Sequence, residues 1–221
     1  MESAAANRVS TIPRPSVDFP RAFCPDDLDF SDVENLSPFL DDLSHRSLNS
    51  LEDAERWLVD FSEFRSVVFE ERTRLYIAMT CETENSENEK NYLYWIDNFD
   101  PKLKQEFQEL YQKFVDWPYT DEQNQNRFGL MRKYWQNSIE LFRSENIPLE
   151  TEISRLSQQY QKLLGSLSLN YNGREYTIQQ MILFLQDPDR DNRKKAFEAI
   201  LERWKDDADE LDELFNKLLR I

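Results

Sequence analysis

Apolar residues recur three and four positions apart along nearly the whole chain. That spacing is the mark of helices with one buried face. Leu36, Phe39, Leu40 and Leu43 form one such stripe; Ala54, Trp57, Leu58, Phe61 and Phe64 form a second. Val67, Val68, Leu75, Tyr76 and Met79 carry the second stripe onward, as one long helix or two in tandem. Only three glycines, Gly129, Gly165 and Gly173, are present to interrupt the pattern. With so few glycines, the chain cannot be built on loops that need left-handed backbone.

Helix ends are marked as clearly as the faces. Ser37-Pro38 fits an N-cap with proline in the first turn, and Ser50 fits a second N-cap with Glu52 and Asp53 behind it. A helix from about Glu87 to Phe99 carries Tyr92, Trp95 and Ile96. Asp100-Pro101 then either kinks it or starts a new one, and Trp117-Pro118 stops the stripe of Leu103, Phe107, Leu110, Tyr111 and Phe114. Residues 124–143 are expected to be helical with Phe128, Met131, Trp135, Ile139 and Phe142 inward. Ile147-Pro148-Leu149 opens the next helix, and Gly165 marks its end.

At that point the period changes from 3.6 to 2. Ser168 to Tyr171 and Arg174 to Thr177 alternate around Asn172-Gly173, a strong hairpin signal because both turn residues need positive φ. Thr177 with Gln180 fits a capping box. After Asp187-Pro188-Asp189, a long final helix is expected to begin near Asp189, covering 190–221 if it is continuous. Its apolar face holds Phe197, Ile200, Leu201, Trp204, Leu211, Leu214, Phe215, Leu218 and Leu219. No cap follows, so the chain is expected to stop in mid-element, leaving the last five of these partly exposed. The fold class is therefore all-α, an antiparallel multi-helix lobe with one small β-hairpin near 168–177. The expected division is a flexible leader at 1–20, a helical lobe at 21–145, and a helix, hairpin and long helix at 146–221.

Charge excludes some partners. Lys plus Arg number 27 and Asp plus Glu 43, a formal charge of −16, which repels nucleic-acid phosphates and anionic lipid. The short basic run Arg193-Lys194-Lys195 sits among acids and reads as a solvated helix face. No stretch reaches the roughly 18 apolar residues of a membrane span, and Met1 to Ser10 lacks the apolar centre of a signal peptide. Cys24 and Cys81 have no metal-site spacing and read as two reduced thiols of a cytoplasmic protein, Cys81 buried.

Several segments in order resemble one known family. They are Pro148-Leu149-Glu150-Thr151-Glu152-Ile153-Ser154-Arg155-Leu156-Ser157-Gln158-Gln159-Tyr160, the hairpin Tyr171-Asn172-Gly173-Arg174-Glu175-Tyr176-Thr177, and Asp187-Pro188-Asp189-Arg190. Asp209-Glu210-Leu211-Asp212-Glu213-Leu214-Phe215 follows, with Leu48-Asn49-Ser50 and Tyr76-Ile77-Ala78-Met79-Thr80-Cys81 upstream. Together they resemble the oligoendopeptidase F family of zinc metallopeptidases, relatives of thimet oligopeptidase. The resemblance implies an N-terminal helical lobe that walls a channel admitting oligopeptides and excluding folded proteins. It also implies zinc, in a complete member, held by His-Glu-x-x-His and a later Glu.

His45 is the only histidine, and that motif needs two on one helical turn. No position is therefore assigned a catalytic, cofactor-binding or metal-ligating role. The resemblance makes this chain a substrate-restricting lobe, inactive alone, with a separate catalytic segment as a conceivable partner. A deliberate fragment, a truncated or split reading frame, and a lobe retained for another role all fit. From a different class, a non-catalytic helical module binding a protein or peptide in an apolar groove fits the same pattern. His45 itself reads as a helix-end residue. The acidic runs Asp26-Asp27-Asp29, Asp41-Asp42, Glu70-Glu71 and Asp206-Asp207 read as solvated faces. The aromatics read as core, with Trp117 and Tyr119 as candidates to face a peptide groove.

Overall fold

The computed structural model describes residues 21–118 and 122–221. The proposed leader and Tyr119 lie outside them. The architecture is all-α with one hairpin, and it divides into two compact units. The first comprises the described residues through Met79 together with Glu87–Thr151; the second comprises Thr80–Ser86 and Glu152–Ile221.

In the first unit a 3-10 turn, Val33–Leu36, runs into α1, Ser37–His45. Ser37 is thus not the N-cap. The entry is made one turn earlier by Asp32, whose carboxylate accepts from Glu34 N at 3.0 Å. Ser37 instead donates its hydroxyl to Glu34 Oε2. α2, Leu51–Cys81, is a single helix, and Ser50 Oγ accepts from Asp53 N at 3.1 Å as an N-cap should.

α3, Ser86–Asp116, passes through Pro101 without ending. The ring removes the bond that residue 101 would give to the carbonyl of Asp97. Contacts on both sides hold the turns together. Trp95 stacks on Phe99 at 4.3 Å and 8°, and its Nε1 donates to the buried Asp100 carboxylate at 2.8 Å. Arg72 of α2 donates to the same carboxylate at 3.1 Å.

α2 and α3 form an antiparallel hairpin. Trp57 meets Phe114, Phe61 meets Tyr111, Tyr76 meets Tyr92, and Asn88 donates to Ala78 O. The numbers rise on one helix as they fall on the other. α4, Glu122–Leu141, lies against both: Trp135 stacks on Tyr111 at 4.9 Å and meets Phe61 edge-on at 5.7 Å. The C-terminus of α1 is tied down from two helices. Trp57 Nε1 donates to Leu43 O at 2.8 Å, and Lys113 Nζ donates to the carbonyls of Leu43, Ser44 and Arg46 at 2.5–2.7 Å. A cation there satisfies carbonyls that a helix end leaves without partners.

α5, Asn146–Ser166, leads into the second unit. Gly165 does not cap it with positive φ; among the described glycines only Gly173 has one. Gly165 is instead a close-approach residue, since a Cβ there would come within 2.9 Å of Thr83 Cγ2. The strands β1, Ser168–Tyr171, and β2, Arg174–Thr177, pair antiparallel with Leu169 opposite Tyr176. Asn172 at φ 52° and Gly173 at φ 80° form the turn. Thr177 and Gln180 complete the capping box of the short α6, Ile178–Met181. A 3-10 turn, Ile182–Gln186, follows, and its Phe184 meets Tyr171 and Tyr176.

The long final helix, expected over 190–221 if continuous, is divided into two helices, α7, Arg190–Asp206, and α8, Ala208–Leu218. Asp207 breaks them at φ −109°, ψ 11°. Between Trp204 and Leu211 the chain offers only Lys205, Asp206, Asp207, Ala208, Asp209 and Glu210. No large apolar side chain holds that turn to a core, and helices owe most of their stability to such packing. Arg203 instead donates to Ser168 O at 2.8 Å and pairs with Asp207 at 2.6 Å, fastening the end of α7 to the hairpin.

Candidate functional site

One face of α2 and one of α4 enclose an open apolar groove of about 700 Å³. α2 contributes Leu58, Phe61, Ser62, Arg65, Ser66 and Phe69, and α4 contributes Leu130, Met131, Tyr134 and Trp135. The spacing is dictated by the helices: positions three and four apart share a face. Phe61 and Trp135 are buried and form the floor. Phe69, Leu130 and Tyr134 stand exposed at the rim, Leu130 at 84%. Burial of the floor is forced by its edge-on ring pair, while the rim residues have no covering element among the described residues.

Polar groups are few. Arg65 places its guanidinium over the Phe69 ring at 5.1 Å, a cation–π contact that keeps the charge at the groove edge. The hydroxyls of Ser62, Ser66 and Tyr134 complete the set of charged and hydroxyl groups. Apolar walls with a single cation and three hydroxyls suit an extended chain carrying large side chains. The lining brings no carboxylate, imidazole or thiol, so it has groups to hold such a chain and none to act on it.

The residues singled out from sequence lie elsewhere. His45 ends α1 on the surface, its Nδ1 2.8 Å from Asp41 O, a contact closed within its own helix. Cys24 is buried in a loop. Its thiol is pushed up to about 12, by burial first and by the Glu63 carboxylate second, so it is no thiolate ligand near neutral pH. Cys81 is exposed, contrary to expectation, because it ends α2 where the chain turns out into the polar stretch after it.

Two acidic residues are taken up locally: Asp29 accepts from Ser31 and Asn35, and Asp42 pairs with Arg46. Glu71, expected on a solvated face, is instead buried, its carboxylate 3.6 Å from the buried Arg74 one turn on. Arg193 donates to the carbonyls of Asp187 and Pro188, and Lys194 lies 3.7 Å from Glu198. Trp117 is buried against Phe114 and does not line the groove. Among the described residues no three His, Cys, Asp or Glu side chains gather as a metal site. The donor set here, one helix-capping imidazole, one protonated buried thiol and one isolated thiol, does not fit zinc.

Sequence reading had Leu58, Phe61, Met131 and Trp135 on inward faces but passed over Arg65, Phe69, Leu130 and Tyr134. A signal was present. Leu130 and Tyr134 are four apart and lie one position off the Met131–Trp135 row, a second apolar row that widens the face of α4 beyond what its own packing uses.

The model of the peptidase M3 N-terminal domain matches residues 28–142, which include the whole groove. No curated protein sequence matches significantly. Among solved structures, one described as an oligoendopeptidase F and determined at 3.1 Å superposes with a TM-score of 0.78 at 20% identity. It is covered over 92% of this chain and 35% of its own. A second, described as an oligoendopeptidase F from Bacillus anthracis str. Ames, gives 0.78 at 20% identity, over 91% and 38%. A third, PZ peptidase A with an inhibitor, gives 0.74 at 20% identity, over 92% and 35%. The chain thus spans a little over a third of the length of the structures it matches. At that identity the likeness concerns the fold.

Proposed function

The chain belongs to the peptidase M3 family through its N-terminal domain, and from that premise we propose that it forms the substrate-restricting lobe of a zinc metalloendopeptidase acting on oligopeptides. The observation that carries this reading is the family match over residues 28–142, the stretch holding both groove helices. A peptide-holding face with no reactive group suits a lobe that selects substrates rather than one that cleaves them. In the complete enzyme zinc would activate a water and polarise the scissile carbonyl. The 221 residues contain one histidine, so that chemistry belongs to another segment, whether on the same polypeptide or a separate one. A cytoplasmic setting accords with two free cysteines; among the described residues no helix is long and apolar enough to cross a membrane.

The second reading, a peptide-binding module without peptidase connections, is favoured by the groove alone. The test is direct. The purified chain is mixed with a quenched fluorescent oligopeptide, with and without zinc; hydrolysis is followed by the release of fluorescence and binding by isothermal titration calorimetry. The expected result is binding weakened by Tyr134→Ala, and no hydrolysis in either condition. Zinc-dependent turnover abolished by a chelator overturns the inactive-alone assignment. Absence of any peptide binding removes the selecting role from the groove.

A further inference from the structure

Arg65 brings into the groove a positive charge that no acid among the described residues neutralises. α2 carries four arginines, and three of them meet acids: Arg56 meets Glu52, Arg72 meets Asp100, and Arg74 meets Glu70 and Glu71. Arg65 meets none, and its Nε is buried without an acceptor. The cause is its position. Residues three and four away on a helix share a face, and for position 65 these are Phe61, Ser62, Val68 and Phe69. The acids nearest in sequence are engaged elsewhere. Asp60 is taken by Arg46, Glu63 by the backbone of Ala22, Phe23 and Cys24, and Glu70 by Arg21 and Arg74. Across the groove, α4 offers Leu130, Met131, Tyr134 and Trp135, again without a carboxylate.

The guanidinium is held without being neutralised. Phe69 supplies its ring face at 5.1 Å, which positions the cation and brings no net charge. Arg65 is half-buried, and a partly desolvated cation gains more from an anion than one in open water, because the local dielectric is lower.

Resting on the reading above that the groove holds an oligopeptide, we propose that Arg65 sets its specificity by receiving a carboxylate of the bound peptide. A large apolar side chain next to that carboxylate packs on Phe69, Leu130 and Met131. The paired terminal N–H groups of a guanidinium match the two oxygens of a carboxylate. The hydroxyls of Ser62, Ser66 and Tyr134 are further donors on the same lining. One guanidinium balances one carboxylate; a phosphate would bring further negative charge with no second cation in the lining to meet it. Two sources supply a carboxylate: the C-terminus of the peptide, and an Asp or Glu side chain within it.

The experiment is isothermal titration calorimetry of the 221-residue chain with four synthetic peptides. The first is N-acetyl-Ala-Ser-Ala-Leu-Phe with a free C-terminus, and the second is its C-terminal amide. The third is the amide with Glu in place of the second Ala, and the fourth has phosphoserine there instead. The first, the third or both are expected to bind about tenfold or more tighter than the second. The first alone assigns the carboxylate to the peptide's end, the third alone to an acidic side chain, and both to either source. Arg65→Gln is expected to remove the preference, and Arg65→Lys, which keeps the charge without the planar fork, to keep part of it. Each variant is accepted once its helical circular dichroism matches the parent. Equal binding of the first three peptides, a preference that survives Arg65→Gln, or tightest binding of the phosphopeptide overturns the proposal. If Tyr134→Ala still weakens binding in those cases, the groove reading stands without it. Failure of all four peptides to bind removes the groove reading and the proposal together. Self-association of the chain in sedimentation, abolished by Leu130→Glu, gives the groove to a second copy and also overturns the proposal.

Discussion

Glu63 of α2 shows how one side chain fixes a segment that has no secondary structure of its own. Its carboxylate accepts from the backbone N–H groups of Ala22, Phe23 and Cys24 at 3.0, 2.9 and 2.7 Å. Burial works against the charge, but the three donors outweigh it and hold the Glu63 carboxyl below its ordinary range. A carboxyl lowered in the folded state contributes stability that is complete above its unfolded value, near 4.5, and is lost as pH falls through the lowered one. Glu63→Gln is therefore expected to unfold more easily than the parent at pH 7, by about 1–2 kcal/mol for donors whose acceptor is weakened. Thermal melts of both proteins from pH 7 to pH 3 should show the gap constant above pH 5 and closing below it; a gap that does not depend on pH contradicts the assignment. Nothing in the sequence pairs position 63 with positions 22 to 24, because the contact joins residues about forty apart. The capping roles of Ser50 and Thr177 were legible for the opposite reason: cap and helix are neighbours in the chain.

Elements were readable in proportion to how local their causes are. The hairpin turn was fixed by Asn172-Gly173, since few other pairs tolerate φ of 52° and 80°. Pro101 left two outcomes open, and the choice between them was made by Asp100, which joins Trp95 of its own helix to Arg72 of α2. Pro101→Ala restores a backbone bond and relieves the ring's clash with the preceding turn. It is expected to raise stability by about 1–3 kcal/mol, read as a higher denaturant midpoint with an unchanged slope. A fall in the midpoint means that the helix depends on the proline's packing. The break at Asp207 went the other way. The 3.6 period continues across it in sequence, but no large apolar side chain between Trp204 and Leu211 exists to anchor the turn.

At the scale of the whole molecule the two units differ in how much core each possesses. The first packs Trp57, Phe61, Phe64, Trp95, Phe99, Phe107 and Phe114 in one cluster, whereas the buried cluster of the second is Leu167, Ile178, Met181, Ala196 and Ile200, with no aromatic ring among them. Amide exchange should follow that difference. The slowest amides are expected in α2 and α3 around the Trp57–Phe114 and Trp95–Phe99 stacks, and those of α7 and α8 should exchange faster by two or more orders of magnitude, roughly 3 kcal/mol of opening free energy. Equal protection in both units contradicts the account of the second as the one with the smaller core. By itself the sequence determined the helices, their faces, the hairpin and the lack of a zinc motif, because periodicity, caps and the count of histidines are properties of neighbouring residues or of composition. Tertiary structure alone decided that Cys81 is exposed, that Gly165 answers to Thr83, that the last helix breaks at Asp207, and that Arg65 and Tyr134 share a groove. Those outcomes depend on which side chains meet across space, and helical spacing gives the direction of a face without saying what, if anything, will cover it.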